Sequence, residues 1–323
     1  MSFDFAPNWK SAKYTLAVKG DEGNDYTVEI HRDTYDKQFS GSNTLVGSTR
    51  DSTVTSWDHS DKDEYSPFVF SQTTLAIYDG GEAVASDLIG AINEVEDLFL
   101  IVVRDGDDLK WIGKIDPEGI TFDEDGPVQL LITAADGLGR LDNTGYNLDE
   151  NGLRADSEVV SLMSIVADIL NDTGFGLDSY ISTSFYPKVT PSLGATDNPL
   201  ENIYIDKLAF LTDDGKGTRS AVSKLTVLRT ICQAFGIKCF QADGAWHLIQ
   251  ANHLHTSSYR RWRYDSTGAG KIANGENIGS GTRAASPSGV DYEDVTPSVT
   301  PTNEDRERTT STASFLTGYN SVE

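Results

Sequence analysis

Two stretches of this chain repeat one local plan, and that plan constrains the fold more than any other feature. Residues 97–103 (DLFLIVV) form an apolar run of strand length, Asp105-Gly106-Asp107-Asp108 makes a turn, and residues 109–115 (LKWIGKI) form a second run. A run, a Gly/Asp turn and another run is the signature of a β-hairpin. Residues 237–241 (IKCFQ), the turn Ala242-Asp243-Gly244 and residues 245–250 (AWHLIQ) do the same. Each hairpin carries a tryptophan just after its turn, Trp111 in the first and Trp246 in the second. The repetition hints at two related β-domains.

Residues 1–145 read as β-structure. Residues 13–18 have strand composition, 26–30 (YTVEI) alternate, 67–78 (PFVFSQTTLAIY) are β-rich, and 127–133 (PVQLLIT) supply one more strand. Strands separated by Gly/Asp turns predict an antiparallel barrel or sandwich. Residues 83–95 read as a helix. Beyond 146, Asp156 or Ser157 is expected to cap a helix with Glu158 in its first turn. Val159, Leu162, Met163, Val166, Ile169 and Leu170 recur at helical spacing, and Gly174 is placed to close that helix in a left-handed conformation. A second helix is expected over 221–235, capped by Ser220. Its stripe is Leu225, Leu228, Ile231, Cys232 and Phe235, and Gly236 ends it.

The fold expected is mainly β with a few helices (α+β): two antiparallel β-barrel-like domains plus a polar C-terminal extension. The first domain covers 1–145 and the second, helix-containing one covers 146–267. Residues 268–312 are rich in Gly, Ser, Thr, Pro, Asn and Glu, and the segment after them begins like a strand. Residues 268–323 are therefore expected to be extended and completed by a partner.

The chain has 323 residues, with 26 Lys+Arg against 50 Asp+Glu, for a net charge of -24. Such a surface repels nucleic-acid phosphates, so stable nucleic-acid binding is not expected. Acids cluster at Asp105, Asp107 and Asp108, at Asp123 and Asp125, and at Asp213 and Asp214. Three explanations compete: a saline habitat, calcium binding, or the wall of a passage through which a polyanion slides. Only two cysteines are present, Cys232 and Cys239, which excludes a disulfide framework and a four-thiolate metal site within one chain. Two buried thiols are expected. No apolar run approaches the roughly 20 residues of a membrane span, and residues 1–5 do not read as a secretory signal.

Motifs for chemistry are absent. The sequence contains no phosphate-binding glycine loop, no G-x-S-x-G elbow and no H-E-x-x-H. His247, His253 and His255 lie close in sequence, but spacing without an acid or cysteine partner is a weak zinc signal. The acidic turns do not follow EF-hand spacing, which leaves adventitious calcium open. The single basic cluster is Tyr259-Arg260-Arg261-Trp262-Arg263-Tyr264, a composition that favours a subunit contact over base stacking in so acidic a chain. No catalytic, cofactor-binding or metal residues are expected, and the chain is read as non-enzymatic.

Several strings, in their order along the chain, resemble elements of the tail-hub (baseplate-hub) proteins of tailed bacteriophages. These are Ser66-Pro67-Phe68-Val69-Phe70-Ser71, Trp111-Ile112-Gly113-Lys114-Ile115, and Ala134-Ala135-Asp136-Gly137-Leu138 with Leu141. Asn198-Pro199-Leu200 follows, and then Phe235-Gly236 with residues 240–250 (FQADGAWHLIQ). The resemblance implies two barrel domains per chain in a homotrimeric ring at the tail tip. Such a ring joins a sixfold tail tube to a threefold spike or fibre and lines the DNA ejection channel. It implies a distal tail or tail-tube protein, a tape-measure protein and a spike or tail fibre as partners. The protein would be made in the host cytoplasm and reside in the virion. The acidic turns would then face the channel and the basic cluster would face neighbouring chains. A secreted or surface carbohydrate-binding β-protein, with or without calcium, is the alternative.

Overall fold

The computed structural model describes residues 14–19, 25–32, 43–44, 53–58, 66–78, 99–123, 129–146, 158–183, 198–213, 219–251, 259–266, 283–285 and 291–295. They form a mostly β molecule with few helices. β1 (Tyr14–Lys19), β2 (Asp25–Arg32), β3 (Asn43–Thr44), β4 (Thr53–Asp58), β5 (Phe70–Tyr78), β6 (Phe99–Asp105), β7 (Asp108–Asp123) and β8 (Gln129–Ala135) make one sheet. Its order is β3-β1-β2-β6-β7-β8-β5-β4, and it curls into a half-barrel. All pairs are antiparallel except the short β1/β3 contact.

Strand alternation builds the core of this sheet. Leu16 and Val18, Val28 and Ile30, Leu75 and Ile77, and Leu130 and Ile132 all point to one side, around Trp111. β6 is different, because it is covered on both faces. Phe99, Ile101 and Val103 join that core, while Leu100 and Val102 enter a second one. Its unbroken apolar sequence is what a doubly buried strand requires.

The second core is formed by two helices and another sheet. α1 (Leu162–Asn171) and α2 (Lys224–Phe235) pack with β10 (Ser179–Ser182), β14 (Ile237–Ala242), β15 (Ala245–Gln250) and β16 (Tyr259–Tyr264). β17 (Arg283–Ala285) and β18 (Asp291–Val295) complete the order β14-β15-β10-β16-β18-β17. This sheet is mixed, because β10 and β15 run parallel. Two small ladders flank it, β9 (Val159–Ser161) with β11 (Tyr204–Asp206), and β12 (Leu211–Asp213) with β13 (Arg219–Ala221).

Both helices start later than the sequence suggests. Val159 pairs with Asp206 in β9/β11 and is 64% exposed, so the apolar stripe begins at Leu162 and Ser161 is the cap, accepting from Ser164 N at 3.1 Å. Likewise Ser220 and Ala221 lie in β13, and Ser223 caps α2 through Thr226 N at 3.2 Å. In each case a strand just before the helix takes the expected first turn, because β-branched or polar residues there find a cross-strand partner. Gly236 caps α2 at φ 62° as expected, whereas α1 ends on Asp172 in the right-handed region and Gly174, at φ 81°, turns the chain two residues later. The helix expected over 83–95 lies outside the described residues.

Candidate functional site

Four of the five strings that carry the resemblance come together at the junction between the two sheets, and the Asn198-Pro199-Leu200 string lies apart from it. Residues 66–69 run alongside β14 before the chain enters β5. Val69 N donates to the Cys239 carbonyl at 3.1 Å, Cys239 N donates to the Pro67 carbonyl at 2.7 Å, and Lys238 Nζ donates to the Ser66 carbonyl at 2.5 Å. One continuous segment therefore serves as edge partner to the second sheet and then as a strand of the first.

At its end lies a buried polar node. Ser71 N and Ser71 Oγ both donate to Asp136 Oδ2, at 2.6 and 3.0 Å, and Leu138 N donates to Asp136 Oδ1 at 3.1 Å. Trp111 Nε1 donates in turn to Ser71 Oγ at 2.9 Å. Asp136 is 2% exposed, and burial pushes its carboxyl up to about 6 against the opposing pull of the Ser71 and Leu138 hydrogen bonds. Serine beside a carboxylate invites a nucleophile reading, but Ser71 is 3% exposed and its hydroxyl is already both donor and acceptor. The node therefore fastens β5, β7 and the turn after β8 together.

Glycines let backbones meet at this junction. A Cβ at Gly113 would overlap the Trp111 ring and reach the Ala135 carbonyl at 2.6 Å, so the indole lies across its own strand only because residue 113 has no side chain. Gly244, at φ 69°, donates its N–H to the Lys110 carbonyl at 2.9 Å, and a Cβ there would meet the Leu109 carbonyl at 2.5 Å. Gln241 Oε1 accepts from Ile112 N at 3.2 Å. The two tryptophan hairpins are thus docked on each other, the turn of the second against β7 of the first. Nothing in the sequence signalled that contact beyond the repetition itself. Asn198 of the Asn-Pro-Leu string accepts from Leu200 N at 3.1 Å and donates from Nδ2 to Tyr264 Oη at 2.6 Å.

The basic strand divides by alternation. Trp262 and Tyr264 are 2% and 0% exposed and sit inside the second core, so those two side chains serve the chain itself and are not presented to a neighbour. Arg261 and Arg263 face the other way. The Arg261 guanidinium lies 4.3 Å from the Tyr180 ring centre, Tyr180 stacks on His247 at 5.3 Å, and His247 stacks on Phe240 at 5.3 Å. Arg263 pairs with Asp178, with Nε 2.9 Å from Oδ2. The side chains of Tyr259 and Arg260 lie outside the described residues. His247 is buried, donates from Nε2 to the Ala242 carbonyl at 3.1 Å, and is pushed down to about 3 by burial and by the nearby Arg261 charge. It is a neutral stacking element at ordinary pH; His253 and His255 lie outside the described residues.

Among the acids expected at a channel, Asp107 and Asp108 are exposed at the tip of the first hairpin and Asp105 is half-buried beside them. Asp123 ends β7 and Asp213 ends β12, with side chains outside the described residues; Asp125 and Asp214 also lie outside them. Among the described residues no three His, Cys, Asp or Glu side chains converge as a metal site. Cys232 and Cys239 are both buried and unlinked, and burial pushes the Cys232 thiol up to about 12. Among the described residues no helix is long and apolar enough to cross a membrane.

No protein-family model matches the chain, and no curated protein matches it. Among solved structures, the 43 kDa tail protein of prophage MuSo2 from Shewanella oneidensis is similar at 12% identity and a TM-score of 0.33. The match covers 69% of this chain and 56% of that one, so the chain spans little more than half the length of that protein. A likeness that loose defines neither fold nor function.

Proposed function

We propose that this chain is a non-enzymatic structural protein of a phage tail tip or baseplate. It forms a homotrimeric hub ring that joins the sixfold tail tube to a threefold spike or fibre. Its partners are a distal tail or tail-tube protein, a tape-measure protein and the spike or fibre, and its place is in the virion. The ring lines the ejection channel with acidic turns, including Asp107 and Asp108, whose charge keeps a passing polyanion from adhering.

One observation carries this reading. Four of the five strings that resemble hub proteins, far apart in sequence, converge on one junction through Ser66, Ser71, Trp111, Gly113, Asp136, Gln241 and Gly244. The Ser71, Asp136 and Trp111 side chains there are consumed by one another and by backbone, which supports a scaffold over a catalyst. The test is the mass of the purified full-length chain by light scattering. Three copies per particle are expected, and a monomer across the whole accessible concentration range would count against the ring.

A further inference from the structure

We propose that the junction between the two sheets is a proton-sensitive clasp: with Asp136 protonated it stays shut, and with Asp136 ionised residues 66–71 part from β14. The clasp depends on the geometry of the junction and not on a place in a phage tail.

The clasp has a side on each sheet. On the first, Asp136 follows β8 and accepts from Ser71, which ends the segment 66–71, and from Leu138. On the second, Cys239 of β14 holds the same segment through Val69 N and the Pro67 carbonyl. Phe68, between these two contacts, is 0% exposed in the second core, and Val69 packs with Phe240, Ala242 and Ile249. The Cys239 thiol lies near enough to Asp136 that a charge on the carboxylate opposes loss of the thiol proton.

Among the described residues no cation pairs with Asp136. On β7, Lys110 pairs with Asp243 at 3.7 Å and Lys114 Nζ lies beside Gly174. On β14, Lys238 donates to the Ser66 carbonyl; on α2, Lys224 pairs with Asp172 and Arg229 lies over the Phe68 ring, 5.7 Å from its centre. Arg140, two residues beyond Leu138, is half-buried and does not act on the carboxylate. The other titratable groups there, Cys232 and Cys239, are buried thiols and bring no positive charge. An ionised Asp136 is therefore a buried charge stabilised by hydrogen bonds alone, and water entering a parted junction stabilises it further. Burial holds the carboxyl at about 6 in the closed junction against an ordinary 3.8. Opening should thus grow about tenfold per pH unit between about pH 4 and 6, by about a hundredfold in all, and level off above.

Cys239 reports the opening, because it is covered while residues 66–69 lie on β14. Cys232, on α2, makes no backbone pairing with that segment and serves as the internal reference. The full-length chain is labelled with a dipyridyl disulfide, which reacts with thiols in acid as well as at neutral pH. Trypsin cleaving after Lys238 then places the two cysteines in separate peptides for mass spectrometry. The labelling rate of Cys239 relative to Cys232 should rise at least about tenfold between pH 4 and 7 and then level off. In Asp136→Asn the ratio should stay constant with pH. A wild-type ratio that stays flat, as it would if whole-chain unfolding exposed both thiols together, overturns the clasp, and so does a rise that persists in Asp136→Asn. Should the variant fail to fold, the wild-type ratio decides alone.

Discussion

The two tryptophan hairpins share a plan and differ in how they are held. In β6–β7 the turn is Gly106-Asp107, with Gly106 alone at positive φ, whereas in β14–β15 both Asp243 and Gly244 are left-handed, at φ 45° and 69°. The first turn stands in open space with its acids exposed; the second is pressed against β7. Trp111 and Trp246 are each 0% exposed, yet Trp111 Nε1 donates to Ser71 while Trp246 Nε1 has no hydrogen-bond partner among the described residues. One tryptophan is thus a packing group and a node of a polar network; the other is a packing group alone. A shared sequence plan specifies the hairpin, and the surroundings decide what the tryptophan does.

That contrast can be broken by substitution. Trp111→Ala and Trp246→Ala should each lose about 3–5 kcal/mol in denaturant unfolding, the range for a buried large aromatic. Trp111→Ala should fall at the upper end, because it also strips a donor from Ser71. A loss under about 1 kcal/mol at either would mean the ring is not buried there. The turn glycines come next. Gly244→Ala should cost about 2 kcal/mol or more, since a left-handed backbone and the Leu109 carbonyl both oppose the methyl group. Gly106→Ala meets no atom within 4 Å and should cost only about 1 kcal/mol, the backbone preference alone. Equal losses at the two glycines would remove the distinction between a docked turn and a free one.

Asp136 sharpens the comparison through pH. Its carboxyl is raised from 3.8 to about 6 in the folded chain, so the native state holds the proton more tightly than the unfolded state. Its contribution to stability is therefore fully present below about pH 4 and is lost as pH rises through about 6. In Asp136→Asn that dependence disappears. The stability difference between wild type and variant should change between about pH 4 and 6 and level off above. The amide should also cost about 1–3 kcal/mol, because its N–H₂ faces the Ser71 and Leu138 donors. A difference that stays flat from pH 4 to 8 would show that Asp136 is not buried as described. Smallest of all is the tryptophan-to-phenylalanine pair. Trp111→Phe should be worse than Trp246→Phe by about 1 kcal/mol, since only the first gives up a hydrogen bond.

The hairpins, the apolar β6 and the two helices were legible because period and turn chemistry are local. The helix starts differ because Val159 pairs with β11, distant in sequence, and Ser220 pairs with Thr212 in the strand just before it, so each expected first turn is taken by a ladder that helical spacing does not reveal. The docked hairpins were invisible because their contacts join residues more than a hundred positions apart. Gln241, Gly244 and Ile112 acquire their meaning only when β7 and β14 are adjacent. The basic strand showed its composition plainly, but only alternation against a core distinguishes Trp262 and Tyr264, used inside, from Arg261 and Arg263 on the opposite face.

The proposed function is tested most directly by electron cryomicroscopy of the native particle. The account predicts three copies of this chain around the axis at the distal end of the tail tube, with Asp107 and Asp108 on a net negative lumen wall. A particle in which the chain is absent from the tail tip, or rings a lumen that is uncharged or basic, would contradict it.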